Sequence, residues 1–253
     1  MRIIHTIMTR FPYPLLLTSL LFLMLLFYIL KRYLAKRKIQ TAFPPLKRVF
    51  KDTFWSALAP LWTFPTSIAF CVICIQYNYG FVYHDIHRYG TPYFILSIFL
   101  LLVVYDANFY WWHRLLHLPF FFRNCHKIHH YSHNPTMVTF FAMHPLDCFL
   151  FSLAGPISLF LFPVHPTALV ISQVIVVLST IYAHSGYELY IDRKTLGRWG
   201  LNRWLNSSLA HNLHHQNVHG NFGFYFLFWD RLCGTLDQTY PEALQAFSQK
   251  EST

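Results

Sequence analysis

An uncharged apolar run leads directly into a pair of histidines in residues 92–117, which read PYFILSIFLLLVVYDANFYWWHRLLH. On a helix through this run, Asp106, Tyr110, His113 and His117 fall at offsets of 0, 4, 7 and 11, on one stripe of the surface. We therefore expect a membrane-crossing helix that continues past the bilayer and carries the stripe into a polar site. The proline that follows is expected to end it.

The composition favours a membrane protein over a soluble one. Of the 253 residues, 55% are hydrophobic and only 12% are charged, whereas an average soluble domain has roughly 25% charged residues. This balance argues against an ordinary cytosolic enzyme and against a disordered chain. The net charge is +10, but much of the basic charge lies in residues 31–38, directly after an apolar segment. A nucleic-acid binder would carry it along a solvated face, so no nucleic-acid partner is expected.

Four or five segments are apolar enough to enter a bilayer. They are residues 14–30, roughly 53–79 with Pro60 and Pro65 kinking or delaying its start, the run from Pro92 to Tyr105, and the two halves of 148–183, which divide near 162–166. A basic run and no cleavage site follow the first segment, which favours a retained anchor over a signal peptide. The last two halves are short, so a tilted or incompletely spanning hairpin is an alternative.

The distribution of lysine and arginine predicts the orientation. The connection between the first two segments holds Lys31, Arg32, Lys36, Arg37, Lys38, Lys47, Arg48 and Lys51, and should face the cytoplasm. Alternate crossings then place residues 80–91 and 163–166 outside, and residues 111–146 and everything after 183 inside. His5, His84, His87 and His165 fall outside, while the other twelve of the sixteen histidines fall on the cytoplasmic side. This segregation supports one polynuclear site.

Three histidine clusters have spacings typical of metal ligands. His113 and His117 are four residues apart, and two copies of the pattern H-x-x-H-H follow, at His126, His129, His130 and at His211, His214, His215. Imidazoles in the interior each need a hydrogen-bond or metal partner, and few acids lie nearby. Snorkelling interfacial histidines are the alternative for the first pair alone.

Ligand number narrows the choice of metal. The clusters hold eight histidines, more than one four-coordinate zinc uses, so two metals are the economical solution. A bis-histidine haem would need isolated histidines on facing helices. The five cysteines at positions 71, 74, 125, 148 and 233 form no even framework and are expected to be small buried hydrophobic residues.

The chain resembles the fatty acid hydroxylase/sterol desaturase superfamily of membrane di-iron enzymes over about residues 100–240. The resemblance rests on the residues from Tyr110 to His117, His126 to His130, His144 to Asp147, His184 to Glu188, His211 to His215, Asn221 to Gly223 and Trp229 to Thr235. Phe222 stands where the family more often has tyrosine. The order and spacing of these motifs are highly specific, and the first 90 residues or so match only as an apolar region.

The resemblance implies which residues form the site. Two irons would be held by His113, His117, His126, His129, His130, His211, His214 and His215, with His144 and His184 as additional ligands. Asp106 and Glu188 would orient ligand imidazoles by accepting their second N–H. His133 and His219 match no ligand position. No catalytic side chain beyond the metal centre is assigned.

The resemblance also implies O2-dependent hydroxylation or desaturation of a sterol, fatty acyl or related membrane lipid. Electrons from NAD(P)H would arrive through a separate donor of the cytochrome b5 or ferredoxin type, since the sequence has no glycine-rich nucleotide motif. A membrane zinc hydrolase and a non-catalytic lipid-binding protein on the same fold are the alternatives.

The predicted fold class is all-α. We expect an integral, multi-pass membrane protein with four to five transmembrane or membrane-embedded helices and a cytoplasmic histidine-rich helical catalytic cap. Its predicted parts are an N-terminal membrane-anchoring region at 1–90, the catalytic domain at 91–240 and a C-terminal tail at 241–253.

Overall fold

A computed structural model describes residues 34–40, 42–189 and 204–252, together with Leu25 and Ile29. The predicted first membrane segment at 14–30 otherwise lies outside the described residues, as do His5, Lys31 and Arg32. The chain divides into two compact units, Met1–Lys38 and Ile39–Thr253. All further description concerns the second unit. The three-part division at residues 90 and 240 stays a prediction.

The described part of the second unit is helical and contains no β-strand, as the sequence predicts. Its α-helices are α1 Leu46–Tyr77, α2 Gly90–Leu116, α3 Pro119–Phe121, α4 Lys127–His130, α5 Pro145–Ser152, α6 Ala154–Ser158, α7 Pro166–Ala183, α8 Ser208–Gln216, α9 Phe228–Leu232 and α10 Tyr240–Ser252. A π-helical turn, Phe122–His126, joins α3 to α4, and Met137–Phe141 form a 3-10 helix.

The three longest helices, α1, α2 and α7, run between two ends of this unit. At one end, here the loop end, Val164 N–H donates to Phe81 O and Tyr83 N–H donates to Val164 O. At the other, the histidine end, Asp52 near the start of α1 accepts from Thr139. Between the ends, α5 and α6 accompany α1, where the hydroxyls of Ser67 and Ser152 lie 2.5 Å apart.

Helix α1 begins earlier than the sequence predicts. The uncharged stretch starts near residue 53, but the helix starts at Leu46, directly after Pro45, and includes Lys47, Arg48 and Lys51. The polar start is accommodated because Arg48 forms an ion pair with Asp52 one turn later. Both internal prolines lie within the helix, and the apolar part that begins at Pro65 is shorter than a membrane crossing requires.

Helix α2 is the continuous helix that residues 92–117 predict. It continues without interruption from the apolar run into the histidine pair and ends at Leu116, with His117 as its C-terminal cap. Asp106, Tyr110 and His113 are all buried. Pro119 then occupies the first position of α3, where a proline lacks no needed hydrogen bond.

Among the described residues, two helices are long and apolar enough to cross a membrane, α2 and α7. Only 33% of each apolar window is buried, which is low for the core helix of a soluble protein. Ile95 and Phe99 on α2 and Val174 on α7 are exposed. Contiguous exposed apolar surface of this kind marks a site of contact with lipid or protein.

The core of the bundle lies near the loop end and combines small side chains with leucines and an aromatic ring. Cys71 and Cys74 of α1 pack there with Leu101 of α2, Ala154 and Ala168. These two cysteines are buried and free, as the sequence predicts. The segment predicted as a C-terminal tail is mostly helix α10, whose Phe247 packs in a second cluster with residues of α8.

Candidate metal centre

Nine of the ten histidines predicted as ligands come together in two adjacent groups. The first group is His113, His117, His126, His130 and His214, and the second is His129, His184, His211 and His215. Within each group, one ring nitrogen per residue lies within 4.8 Å of the others. The groups touch, since the ring centroids of His130 and His215 are 5.0 Å apart.

Helical geometry explains how the two H-x-x-H-H motifs divide between the groups. One helical turn has 3.6 residues, so position i+4 lies about 40° to one side of position i and position i+3 about 60° to the other. His126 and His130 accordingly share the first group, while His129 joins the second. In the second motif His211 and His215 share a group, and His214 crosses to the other.

Hydrogen bonds to the backbone hold several imidazoles in one tautomer. The Nδ1–H of His113 donates to Phe222 O at 2.9 Å, and that of His214 donates to Gly220 O at 2.6 Å. In the second group, His184 Nδ1–H donates to Thr180 O at 2.8 Å. Each neutral ring therefore directs the lone pair of Nε2 into its group, which is the arrangement that metal-ligating histidines use.

Asp147 holds a fourth imidazole in the same way. Its carboxylate accepts from His126 Nδ1 at 3.0 Å, and both side chains are fully enclosed. This leaves His126 Nε2 buried without a hydrogen-bond partner among the described residues, as is His117 Nε2. Buried ring nitrogens without partners are costly unless something binds them. The two lone atoms therefore fit a metal ion.

The spacing of the ring nitrogens fits the same conclusion. The Nε2 atoms of His211 and His184 are 3.0 Å apart, and those of His215 and His211 are 3.2 Å apart. In the first group, His214 and His130 have their Nε2 atoms 3.2 Å apart. Two nitrogens about 2.1 Å from a shared ion, at right-angle or tetrahedral geometry, lie about 3.0–3.4 Å apart. The residues present therefore fit a metal in each group.

Burial keeps these imidazoles neutral. Removal from water lowers the pKa of both His184 and His214 to about 4. Burial lowers the pKa of His211 and His215 well below the usual range as well, and neighbouring imidazoles add to the shift. At neutral pH the rings therefore carry no proton that a metal would have to displace from Nε2.

The segment from Gly220 to Phe226, here called the strap, supplies the carbonyls for the first group. Asp230 fixes one part of it, because its carboxylate accepts from Phe222 N–H at 2.9 Å and Gly223 N–H at 2.7 Å. A side chain on Gly223 would lie 2.5 Å from a backbone oxygen, so only glycine fits there. Through the strap, Asp230 positions His113 without touching it.

Asp106 holds the far part of the strap. It is buried, and its Oδ1 accepts from the backbone N–H groups of Tyr225 at 2.7 Å and Phe226 at 3.1 Å. The sequence led us to expect that this carboxylate accepts from a ligand imidazole. Its hydrogen bonds go instead to the strap backbone, which runs beside α2 at this point.

Glu188 has a comparable structural position under α8. Its Oε2 accepts from Leu209 N–H at 3.0 Å, and Oε1 accepts from the hydroxyl of Tyr182 at 2.5 Å. The first contact stabilises the first turn of α8, which carries three of the clustered histidines. The second stabilises the end of α7, directly before His184. The role expected for Glu188 was a direct contact to an imidazole.

His144 is the one predicted ligand that the structure leaves outside both groups. It is half-buried at the start of α5, and its Nδ1 accepts from Leu146 N–H at 3.2 Å as a helix cap. His133 and His219 are exposed, in keeping with their absence from the ligand motifs. His133 donates to the carbonyl of His215 at 3.3 Å.

The histidines of the loop end lie far from both groups. His165 packs against Phe94 near the start of α2, and nineteen residues of helix separate Phe94 from His113. At 1.5 Å per residue, that is a distance of about 28 Å along the axis. The predicted segregation of the histidines between two ends is therefore present for the described residues.

Sequence reasoning missed Asp147, Asp230 and the strap carbonyls. Both aspartates stand within motifs that carry the resemblance, at the ends of His144–Asp147 and next to Trp229. A sequence signal that could have identified the two aspartates is that each interrupts an otherwise apolar segment. Backbone acceptors such as Phe222 O leave no signal in the sequence.

Comparison with known proteins places the chain in a family. Residues 98–235, more than half of the chain, match the profile of the family described as fatty acid hydroxylase. The Delta(7)-sterol 5(6)-desaturase of Gibberella zeae is 33% identical over 65% of this chain and 49% of its own length. Human lathosterol oxidase is 34% identical over 58% of this chain and 47% of its own length.

The chain spans about half the length of these curated relatives. No solved structure matches it. The matched residues include every member of both histidine groups, from His113 on α2 to His215 on α8. The chain belongs to the fatty acid hydroxylase family.

Proposed function

We propose that this protein is a membrane-bound, di-iron, O2-dependent oxidoreductase that hydroxylates or desaturates a lipid. The observation that carries the proposal is the pair of adjacent histidine groups, five and four imidazoles, buried at one end of an apolar bundle. The family match and the sterol desaturase and oxidase among the relatives support the same reaction class.

The donor set favours iron over zinc. Five imidazoles in the first group exceed the four ligands of a tetrahedral zinc site and the three protein ligands of a catalytic one. Imidazole also suits copper and nickel, so the choice of iron rests on the family as well as on the ligands. In this proposal each group holds one ion, and His144 is not needed by either.

Iron in these groups would supply the reduction of O2 and the oxidising power for an unactivated C–H bond. The protein's own residues position the imidazoles and shield them from water. The strap and Asp147 hold His113, His214 and His126 in the tautomer with Nε2 free. Phe109, which stacks on Phe151 with ring centroids 4.5 Å apart, covers His113 and excludes water from that side.

The substrate is proposed to be a membrane lipid that enters from the side, with sterols as the first class to test. The name of the Gibberella relative specifies a sterol, and the exposed apolar faces of α2 and α7 suit contact with acyl chains. Electrons are proposed to come from NAD(P)H through a separate cytochrome b5 or ferredoxin-type protein.

The protein is proposed to cross the membrane several times, with the histidine end in the cytoplasm and residues 91–240 as the catalytic domain. Aromatic residues at both ends of α2 support the placement, because Tyr93 and Trp111 are eighteen residues apart. That corresponds to about 27 Å of helix, close to the ~30 Å of a bilayer core. Tyrosine and tryptophan are enriched at such interfaces.

The test is metal analysis followed by turnover with labelled O2. The purified protein should contain two irons per chain and consume O2 only when a lipid substrate and a reductant are both present. A hydroxylase would place one atom of labelled O2 in the product, whereas a desaturase would form an unlabelled alkene. Product oxygen derived from water would contradict the proposal and favour the zinc hydrolase.

A further inference from the structure

Three cationic side chains surround the exposed ring of Tyr131 at the histidine end. Arg48, Lys51 and Lys127 lie 5.4, 5.0 and 5.6 Å from the ring centroid. Tyr131 itself is 44% exposed. We call these four residues the Tyr131 patch. Cations within about 6 Å of an aromatic face are attracted to it. Three positive charges are therefore grouped around the Tyr131 ring on this part of the surface.

The charge of this patch is only partly neutralised. Arg48 pairs with the buried Asp52, but Lys51 and Lys127 are exposed and have no carboxylate partner within the described ranges. Of the carboxylates whose side chains the structure describes, only Asp85 and Glu242 are exposed, and Asp85 lies at the loop end. The other described carboxylates are buried inside the fold, so the positive charge of the patch is not balanced at the surface.

The patch lies directly outside the metal centre. Lys127 and Tyr131 belong to the same short stretch as His126, His129 and His130. The three imidazoles are buried and face the groups, whereas Lys127 and Tyr131 face outward. Because Tyr131 follows His130 by one peptide unit, a partner seated on its ring lies one residue along the chain from a member of the first histidine group.

We propose that the Tyr131 patch is the docking surface for an acidic electron-donor protein. The inference rests on the proposed function, which requires electrons from a separate chain, and adds where that chain binds. Exposed aromatic and arginine side chains are typical of protein interfaces. The surrounding lysines accelerate the encounter with a negatively charged partner. Anionic lipid headgroups are the competing occupant, and the experiment separates the two.

The experiment measures binding of an acidic, soluble cytochrome b5 haem domain to the full-length protein in phosphatidylcholine nanodiscs. Wild-type protein should bind the domain, and binding should weaken as salt is raised. Lys51→Glu should weaken it about tenfold and Lys51→Arg should preserve it. Lys127→Glu provides a second reversal on a different element. Arg88→Glu, an equal charge change on an exposed loop-end residue, should alter binding less than twofold.

Two results would overturn the proposal. One is binding that is unchanged in Lys51→Glu and in Lys127→Glu. The other is wild-type protein that does not bind the domain but enriches phosphatidylserine over phosphatidylcholine in mixed nanodiscs and loses that enrichment in Lys51→Glu, which would mean that lipid headgroups occupy the patch. Iron content is measured on the same samples. A wild-type protein without iron would contradict the proposed function, while iron-loaded protein with unaltered binding in both variants would contradict only the docking surface.

Discussion

At the scale of the residue, the unusual feature is the packing of nine imidazoles against one another, eight of them buried. His113, His126, His214 and His215 are among the most deeply buried side chains of the described chain. A buried polar group without a partner costs about 1–3 kcal/mol, so nine such rings would destabilise the fold unless they are bound. Backbone carbonyls satisfy one nitrogen of several rings, and the other nitrogen is left for a metal.

His184 and His144 provide a test of ligand assignment, because the sequence treats them alike and the structure separates them. We expect His184→Ala to lower the metal content of the purified protein by about one ion in two, because its Nε2 lies 3.0 Å from that of His211. His144→Ala removes only a helix cap, worth about 1 kcal/mol, and should keep both ions. Inductively coupled plasma mass spectrometry provides the count.

The control is His84→Ala, which lies at the loop end and should keep full metal content. His214→Ala serves as the positive reference, since this residue belongs to the first group and should also lose metal and activity. If His144→Ala loses metal as His184→Ala does, the grouping seen here is incomplete.

At the scale of the element, the strap is the part that joins distant segments into one site. It takes hydrogen bonds from His113 on α2 and His214 on α8, and it is held by Asp230 and Asp106. Both of the anchored histidines belong to the first group. In the second group His184 donates instead to Thr180 of α7, so this ligand is oriented by a contact outside the strap.

This separation predicts an unequal effect of Asp230→Asn. The amide nitrogen of asparagine cannot accept from Gly223 N–H, so the strap should loosen and His113 should lose its fixed orientation. Loss of a supporting contact of this kind typically lowers metal affinity 10- to 100-fold. We expect that decrease for one of the two ions, measured as two separate steps in a metal titration of the apo-protein.

Asp85→Asn is the matched control. It is the same substitution at an exposed loop-end residue, where the side chain caps a short turn by accepting from His87 N–H. It should leave both titration steps unchanged. Equal weakening of both steps by Asp230→Asn would show that the strap supports the two groups together.

At the scale of the whole molecule, alternate helix directions bring every clustered histidine to one end. Helix α1 runs from the histidine end to the loop end, α2 returns, and α7 ends beside the site at His184. The proposed multi-pass topology follows if the apolar surfaces between these ends lie in a bilayer. The basic residues Lys47, Arg48 and Lys51 in the first turns of α1 would then favour a cytoplasmic position for the histidine end.

Cysteine labelling tests this topology. In a Cys233→Ser background, whose other four cysteines are buried, Gln216→Cys at the histidine end should be protected from an impermeant maleimide in intact cells. It should become reactive after permeabilisation. Tyr89→Cys at the loop end should react in both cases. Both positions are exposed in the structure, so a difference in labelling reports the membrane. Labelling of position 216 from outside would contradict the proposed orientation.

Much of the site is determined by the sequence. The apolar run before His113 predicts α2 and its stripe, because a helix repeats every 3.6 residues whatever surrounds it. The same local rule predicts that His211 and His215 share a face. It also predicts where α2 stops, since Pro119 disfavours continuation of the helix.

Only the tertiary structure decided which residues each helix face contacts. His129 and His214 cross to opposite groups, His144 caps a helix, and Asp106 binds the strap at Tyr225, 119 residues away in sequence. Spacing along a helix sets the direction of a side chain relative to its own axis. The partner it meets depends on how that axis is placed against elements distant in the chain, and this is decided by packing of the whole unit.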